Sequence, residues 1–193
     1  TDEFIGDDVN HRGAFFLMDN FNFMNYFGKE RTGPTEDYGS VFKMNSKDMY
    51  QFFLQLGPVK NSQSEKYFNN KTTIWNEYLL HDTYDDYWKA RNTRPHLKNI
   101  AIPTLVVGGW FDAEDLFGAL ETYKAIENGN PANNNRLVMG PWTHGAWESS
   151  NWNQFASYDF GSNTSKTFQD SLETGFFNYY LKDKGNFNIG EAT

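Results

Sequence analysis

The sequence predicts an α/β fold, and three observations carry that prediction. Two short runs read as strands, a β-branched one that ends in glycines at 100–109 and a second at 136–141. A segment of helical periodicity lies between them. A long aromatic-rich stretch without strand alternation precedes both.

The first run, Ile100-Ala101-Ile102-Pro103-Thr104-Leu105-Val106-Val107-Gly108-Gly109, has the continuous apolar character of a buried parallel strand. After it, Leu116, Ala119, Leu120 and Tyr123 recur at helical spacing, with Glu121 and Lys124 on other faces. Asn128-Gly129-Asn130-Pro131 stops that helix. Arg136-Leu137-Val138-Met139-Gly140-Pro141 is the second strand. A final helix is predicted over 165–182, with Phe168, Leu172, Phe176 and Tyr179 on one stripe. Strand, helix, strand, loop, helix is the order of an α/β domain.

Upstream, the apolar spacing of residues 1–30 favours helix over strand. Gly33-Pro34 and Gly39-Ser40 mark a loop over 31–46. Residues 46–96 read as helical, with no strand among them. Ser46 is the expected N-cap of a run through Met49, Tyr50, Phe52, Phe53 and Leu54, which Gly57-Pro58 ends. Thr72 or Thr73 starts a second helix through Trp75, Tyr78 and Leu79. A third covers Asp82 to Ala90. This block is too long for a single crossover. The expected organisation is a helical cap region over 1–98, then the C-terminal part of an α/β domain over 99–193.

The 193 residues include 18 Phe, 11 Tyr and 6 Trp, a ring content that argues against disorder and suits a core or an apolar pocket wall. Net charge is -8, and no basic run offsets it. An acidic surface repels phosphate backbones, which excludes a nucleic-acid partner. The absence of cysteine removes disulfides, thiol catalysis and Cys-ligated metals. It leaves the compartment open, with a periplasmic or secreted location slightly favoured over a cytoplasmic one. No stretch approaches 18 apolar residues, so no membrane span is expected. The start, Thr1-Asp2-Glu3-Phe4, and the end, Gly190-Glu191-Ala192-Thr193, are abrupt, as in a segment of a longer chain.

Two loops carry chemistry. Asp112 follows the first strand in Gly108-Gly109-Trp110-Phe111-Asp112-Ala113-Glu114-Asp115. His144 follows the second in Gly140-Pro141-Trp142-Thr143-His144-Gly145. Each alone has a plain reading: Asp112 or Asp115 caps the next helix, and His144 is a surface or capping histidine. Together they say more. Their 32-residue separation accommodates one helix and one strand. Both loops then leave neighbouring parallel strands at one sheet edge, where α/β sites form. An acid so placed orients an imidazole, and the imidazole takes a proton from a nucleophile. Acid before histidine is the order of α/β hydrolases, whose serine comes first on a G-x-S-x-G elbow. None of the ten serines here stands in that motif, so the nucleophile is expected upstream of Thr1. No pair of histidines has metal-ligand spacing. No catalytic metal and no cofactor are predicted.

Gly-Gly-Trp-Phe-Asp followed by Gly-Pro-Trp-Thr-His-Gly resembles the serine hydrolases that group cocaine esterase, α-amino-acid ester hydrolases, glutaryl-aminocephalosporanic-acid acylases and X-prolyl dipeptidyl aminopeptidases. Phe4-Ile5-Gly6-Asp7-Asp8-Val9-Asn10-His11-Arg12-Gly13-Ala14-Phe15 resembles the start of that family's helical cap. Phe176-Phe177-Asn178-Tyr179-Tyr180-Leu181-Lys182-Asp183 resembles the last helix before its jelly roll. The resemblance implies the C-terminal part of an α/β-hydrolase fold preceded by an all-helical cap. It makes Asp112 the triad acid and His144 the base, with Trp110 and Trp142 shaping the site or packing beneath it.

In the α-amino-acid ester hydrolase branch, three carboxylates bind the substrate's α-ammonium group. The matching positions are Glu114, Asp115 and one of Asp7 and Asp8, with Asp8 favoured. The competing reading makes Glu114 and Asp115 first-turn acids of the following helix. The implied substrate is a small ester, amide or β-lactam. A homo-oligomer of the full-length protein is compatible with this reading. The acidic doublet favours an amino-acid ester hydrolase or β-lactam acylase. The alternatives are an X-prolyl dipeptidyl aminopeptidase and a non-catalytic interaction module. His11, His81 and His96 are expected to be structural.

Overall fold

A computed structural model describes residues 1–36, 39–130 and 132–187. Pro131 and the 190–193 end lie outside the described residues. The fold is mixed α/β. The chain divides into two compact units, one of Glu3–Arg91 and one of Thr1–Asp2 with Asn92–Thr193.

The Glu3–Arg91 unit opens with a hairpin of β1 (Asn10–His11) and β2 (Ala14–Phe15), paired antiparallel with Asn10 opposite Phe15. Arg12 and Gly13 turn it, both at positive φ (53° and 88°), as a two-residue hairpin loop requires. The helical preference read over 1–30 therefore fails for its first half. It holds for α1 (Leu17–Phe27), which buries Asn20, Phe21, Met24 and Asn25 on one face. Asn25 binds the following loop to this helix: its carbonyl accepts from Val41 N–H and its Oδ1 from Phe42 N–H.

The N-cap of α2 (Met49–Leu56) is Asp48, whose Oδ1 accepts from Gln51 N–H at 3.0 Å. Ser46, the expected cap, instead donates its hydroxyl to the Asp48 carbonyl. Gly57, at φ 70°, ends the helix. A 3-10 turn (Val59–Gln63) leads on to α3 (Thr73–Leu80). The predicted third helix is shorter than expected: α4 spans Asp86–Arg91. The core of the unit is aromatic. Phe21, Phe68 and Trp75 are fully buried, and Phe21 meets Phe68, Phe53 and Trp75 edge-on, the arrangement ring quadrupoles favour. Trp75 keeps its buried Nε1–H satisfied on Ser62 Oγ at 2.8 Å.

The other unit carries the predicted strand–helix–strand step. β3 (Thr104–Gly109) and β4 (Asn135–Gly140) pair parallel in register from Thr104↔Asn135 to Gly109↔Gly140. Between them runs α5 (Leu116–Gly129). Below the strands, Asn130 binds the end of α5 to the approach to β3. Its amide donates to the Ile126 and Leu97 carbonyls, and its Oδ1 accepts from Ile100 N–H. Arg94 bridges Asp2 at 2.7 Å and Glu121 at 3.4 Å.

After β4 come a 3-10 turn (Ala146–Glu148) and a small hairpin, β5 (Gln154–Phe155) with β6 (Tyr158–Asp159). The final helix is not uniform. α6 (Thr164–Thr167) passes into a π-helical segment (Phe168–Glu173) and then α7 (Thr174–Lys182). Trp142, Ala146 and Phe168 form the core here, with Leu105, Val107, Val138, Trp147, Trp152 and Leu172 against them. No helix among the described residues is long and apolar enough to cross a membrane.

Candidate active site

The loops after β3 and β4 leave the same sheet edge because the strands are parallel and in register. Their glycines permit the close approach. A Cβ on Gly109 would stand 2.1 Å from the Trp142 carbonyl oxygen, and one on Gly140 about 2.5 Å from the Trp142 ring. With hydrogen there, the loops stay bonded past the strand ends: Trp110 N–H donates to Gly140 O at 2.8 Å and Phe111 N–H to Trp142 O at 2.9 Å. Asp112 closes a turn on Gly109. Gly145, at φ 69°, turns the second loop just past His144.

The Asp112 side chain is 2% exposed, and its two oxygens are divided between tasks. Oδ1 accepts the backbone N–H groups of Glu114 and Asp115, each at 2.9 Å. Oδ2 stands 3.3 Å from His144 Nδ1. Asp112 does not cap α5, whose N-cap is Asp115; the Oδ1 bonds of Asp112 close a turn ahead of the helix. The Oδ1 bonds fix the carboxylate, and the fixed carboxylate presents its other oxygen to the imidazole. The separation is at the long end for a hydrogen bond.

Glu114 and Asp115 join the same nitrogen. Glu114 Oε2 lies 3.5 Å and Asp115 Oδ2 3.4 Å from His144 Nδ1. Neither is a first-turn helix acid: α5 begins at Leu116, and Asp115, at its N-cap, makes no capping bond. His144 is 56% exposed at its side chain. Partial burial pulls its pKa down, but the charges of Asp112, Glu114 and Asp115 and the Asp112 hydrogen bond outweigh this, so the net shift is upward. Three carboxylates on one imidazole thus favour its protonated form.

Glu114, Asp115 and His144 are also residue types that bind divalent cations, with one donor atom from each lying within 4.8 Å of the others. The expectation of no metal came from histidine spacing alone, which does not register such a mixed set.

Trp110 is 56% exposed. Trp142 is buried and donates Nε1–H to Thr164 Oγ1 at 3.1 Å, so it packs beneath the loop and has no face for a substrate. Asp7, fully buried, and Asp8, partly exposed, belong to the Glu3–Arg91 unit. The Asp8 carbonyl accepts from Asn20 Nδ2 at 2.7 Å. In the same unit, burial, with Glu3, Tyr87 and Asp8, pushes the Tyr78 phenol pKa up. His11 stacks on Phe16, and His81 Nδ1 pairs with Asp85 at 2.6 Å.

Sequence reasoning missed Gln169. It sits in the π segment, and its amide donates to the Trp147 and Ser149 carbonyls just past His144. An isolated glutamine on a helix stripe gives no sign of this.

Comparison with known proteins adds three findings. The family model described as X-Pro dipeptidyl-peptidase (S15 family) matches residues 11–146, which include Asp112 and His144. The crystal structure of an aminopeptidase from the marine sediment archaeon Thaumarchaeota archaeon superposes with a TM-score of 0.86 at 25% identity, over 97% of this chain and 30% of that one. Alanine–tRNA ligases of Bacteroides fragilis and Parabacteroides distasonis are 26% identical over 100 residues, 48% of this chain and 11% of theirs. The chain thus spans under a third of the length of the aminopeptidase, and its matched stretch covers about a ninth of the ligases.

Proposed function

The chain belongs to the X-Pro dipeptidyl-peptidase (S15) family, and from that premise we propose that it supplies the base and acid of a serine hydrolase whose substrates carry a free amino group near the scissile carbonyl. The observation that carries this reading is the ring of three carboxylates at 3.3–3.5 Å around His144 Nδ1. In its fold, β3, α5, β4 and the helix 164–182 correspond to the last part of an α/β-hydrolase domain, and the helical unit to its cap.

Asp112, immobilised through Oδ1, holds the imidazole by Nδ1 and leaves Nε2 for the nucleophile. His144 takes the proton of a serine hydroxyl as that oxygen bonds to the carbonyl carbon. It then returns the proton to the leaving amine or alcohol, and water releases the acyl group by the same steps. The serine lies outside the 193 residues, consistent with the missing elbow motif. Two carboxylates are more than a triad needs. Glu114 and Asp115 are suited to a substrate ammonium group. An ammonium there would neutralise charge beside His144, bring its pKa down and free it to act as a base.

The S15 match and the aminopeptidase likeness favour a peptide with a free N-terminus, an Xaa-Pro peptide foremost. The acidic doublet equally suits an α-amino-acid ester or a β-lactam with a free amine. Full-length protein assayed on an Xaa-Pro anilide, an α-amino ester and the N-acetylated form of each tests this. Turnover of the free amines and loss with the acetylated substrates is expected. Equal rates on free and acetylated substrates would contradict it.

A further inference from the structure

We infer that Gln169, presented by the π-helical segment, is a positioning residue that holds the His144 loop in register with Asp112. The inference rests on His144 acting as the base, but the contact itself does not.

The His144 loop has few bonds of its own. It is a chain of tight turns in which Ala146 N–H bonds to Thr143 O, Glu148 N–H to Gly145 O and Ser149 N–H to Ala146 O. Such a run ends in carbonyls without helical partners. Gln169 Nε2 donates to two of them, Trp147 O at 2.7 Å and Ser149 O at 3.1 Å. One amide thus ties the loop to the helix.

The π segment makes this reach compatible with the core. Adjacent residues of an α-helix diverge by about 100°, so an inward Phe168 would turn Gln169 aside. Over Phe168–Glu173 the turn widens, and Thr174 N–H reaches back five residues to Gln169 O. Phe168 remains 4% exposed, against the Trp142 ring at 5.2 Å, while the neighbouring Gln169 still meets the loop. Single π turns of this kind disfavour the helix locally and occur often at functional sites. Thr164 completes the support by accepting from Trp142 Nε1 and donating to Trp152 O. That places a bond on each side of His144: Trp142 two residues before it, and Trp147 and Ser149 after it.

Histidine NMR on the full-length protein reads the tether. Gln169→Met keeps length and shape but removes both donors. The His144 titration midpoint is expected to fall by roughly half a pH unit or more as the imidazole drifts from Asp112, Glu114 and Asp115. Phe176→Leu, a buried position farther along the same helix whose ring meets Phe177 and Tyr180, should leave the midpoint in place even at an equal loss of stability. Should Gln169→Met not fold, Gln169→Asn, one methylene short of the carbonyls, carries the same expectation. An unmoved midpoint, or an equal movement in Phe176→Leu, overturns the proposal. A moved midpoint with unchanged kcat upholds the tether and tells against His144 as the base.

Discussion

Replacing Glu114 by glutamine should make His144 a weaker base, by an amount the geometry sets. Glu114 Oε2 lies 3.5 Å from Nδ1. Two unit charges at that range interact by about 1 kcal/mol in water and several times more inside a protein. With His144 56% and Glu114 26% exposed, solvent screening keeps the value near the lower end. About 1 kcal/mol corresponds to roughly 0.7 pH unit. The His144 midpoint, raised above the ordinary value of 6.5 in the native chain, should therefore fall by roughly half to one pH unit in Glu114→Gln.

A stability consequence has a definite sign. A histidine whose folded pKa is raised stabilises fully below its unfolded pKa, and that contribution is lost as pH rises through the folded one. Wild type should thus exceed Glu114→Gln in stability between about pH 5 and 6.5. The gap should narrow as pH climbs past the raised midpoint. Histidine NMR and urea unfolding across pH check both. A midpoint unmoved by the substitution would mean that the carboxylates do not act on His144 as drawn, and the electrostatic account would fall.

Two further outcomes test the local structure. Asp48→Ala should cost about 1 kcal/mol in unfolding free energy by removing the α2 cap, while Ser46→Ala should cost less, because the Ser46 hydroxyl bonds only to the Asp48 carbonyl. Gly109→Ala forces a methyl to 2.1 Å from a backbone oxygen. A loss of roughly 3 kcal/mol or failure to fold is expected in thermal melts, and a wild-type melting temperature would contradict the packing described.

Much of the site-bearing unit was legible because its signals are local and repeated. β3 and β4 are apolar runs closed by glycine, α5 has a helical stripe, and the chain between Asp112 and His144 accommodates one crossover. What escaped depends on competition or on distant contacts. Ser46 and Asp48 are both good cap types two residues apart, and the backbone at Asp48 decided between them. The β1–β2 hairpin has two-residue strands, too short for any periodicity to register. Its turn uses Arg12-Gly13, not a typical Asn-Gly pair. The π segment leaves no compositional trace, since its distortion answers to Trp142 and to carbonyls 20 and 22 positions before Gln169. Of the two readings of Trp142, shaping the site or packing beneath it, the structure has the second, because the glycines at 109 and 140 make room for the ring in the core.

Glu114 and Asp115 as ammonium ligands are the most specific part of the functional reading, and one comparison bears on them directly. In the full-length protein, kcat/KM is measured for wild type and Asp115→Asn on one acyl substrate with its α-amine free and on the same substrate with that amine absent. A charged hydrogen bond contributes about 1.5–3 kcal/mol. The account therefore predicts a loss of roughly ten- to a hundredfold on the amine-bearing substrate and little change on its counterpart. Equal losses on both, or none on either, would contradict it.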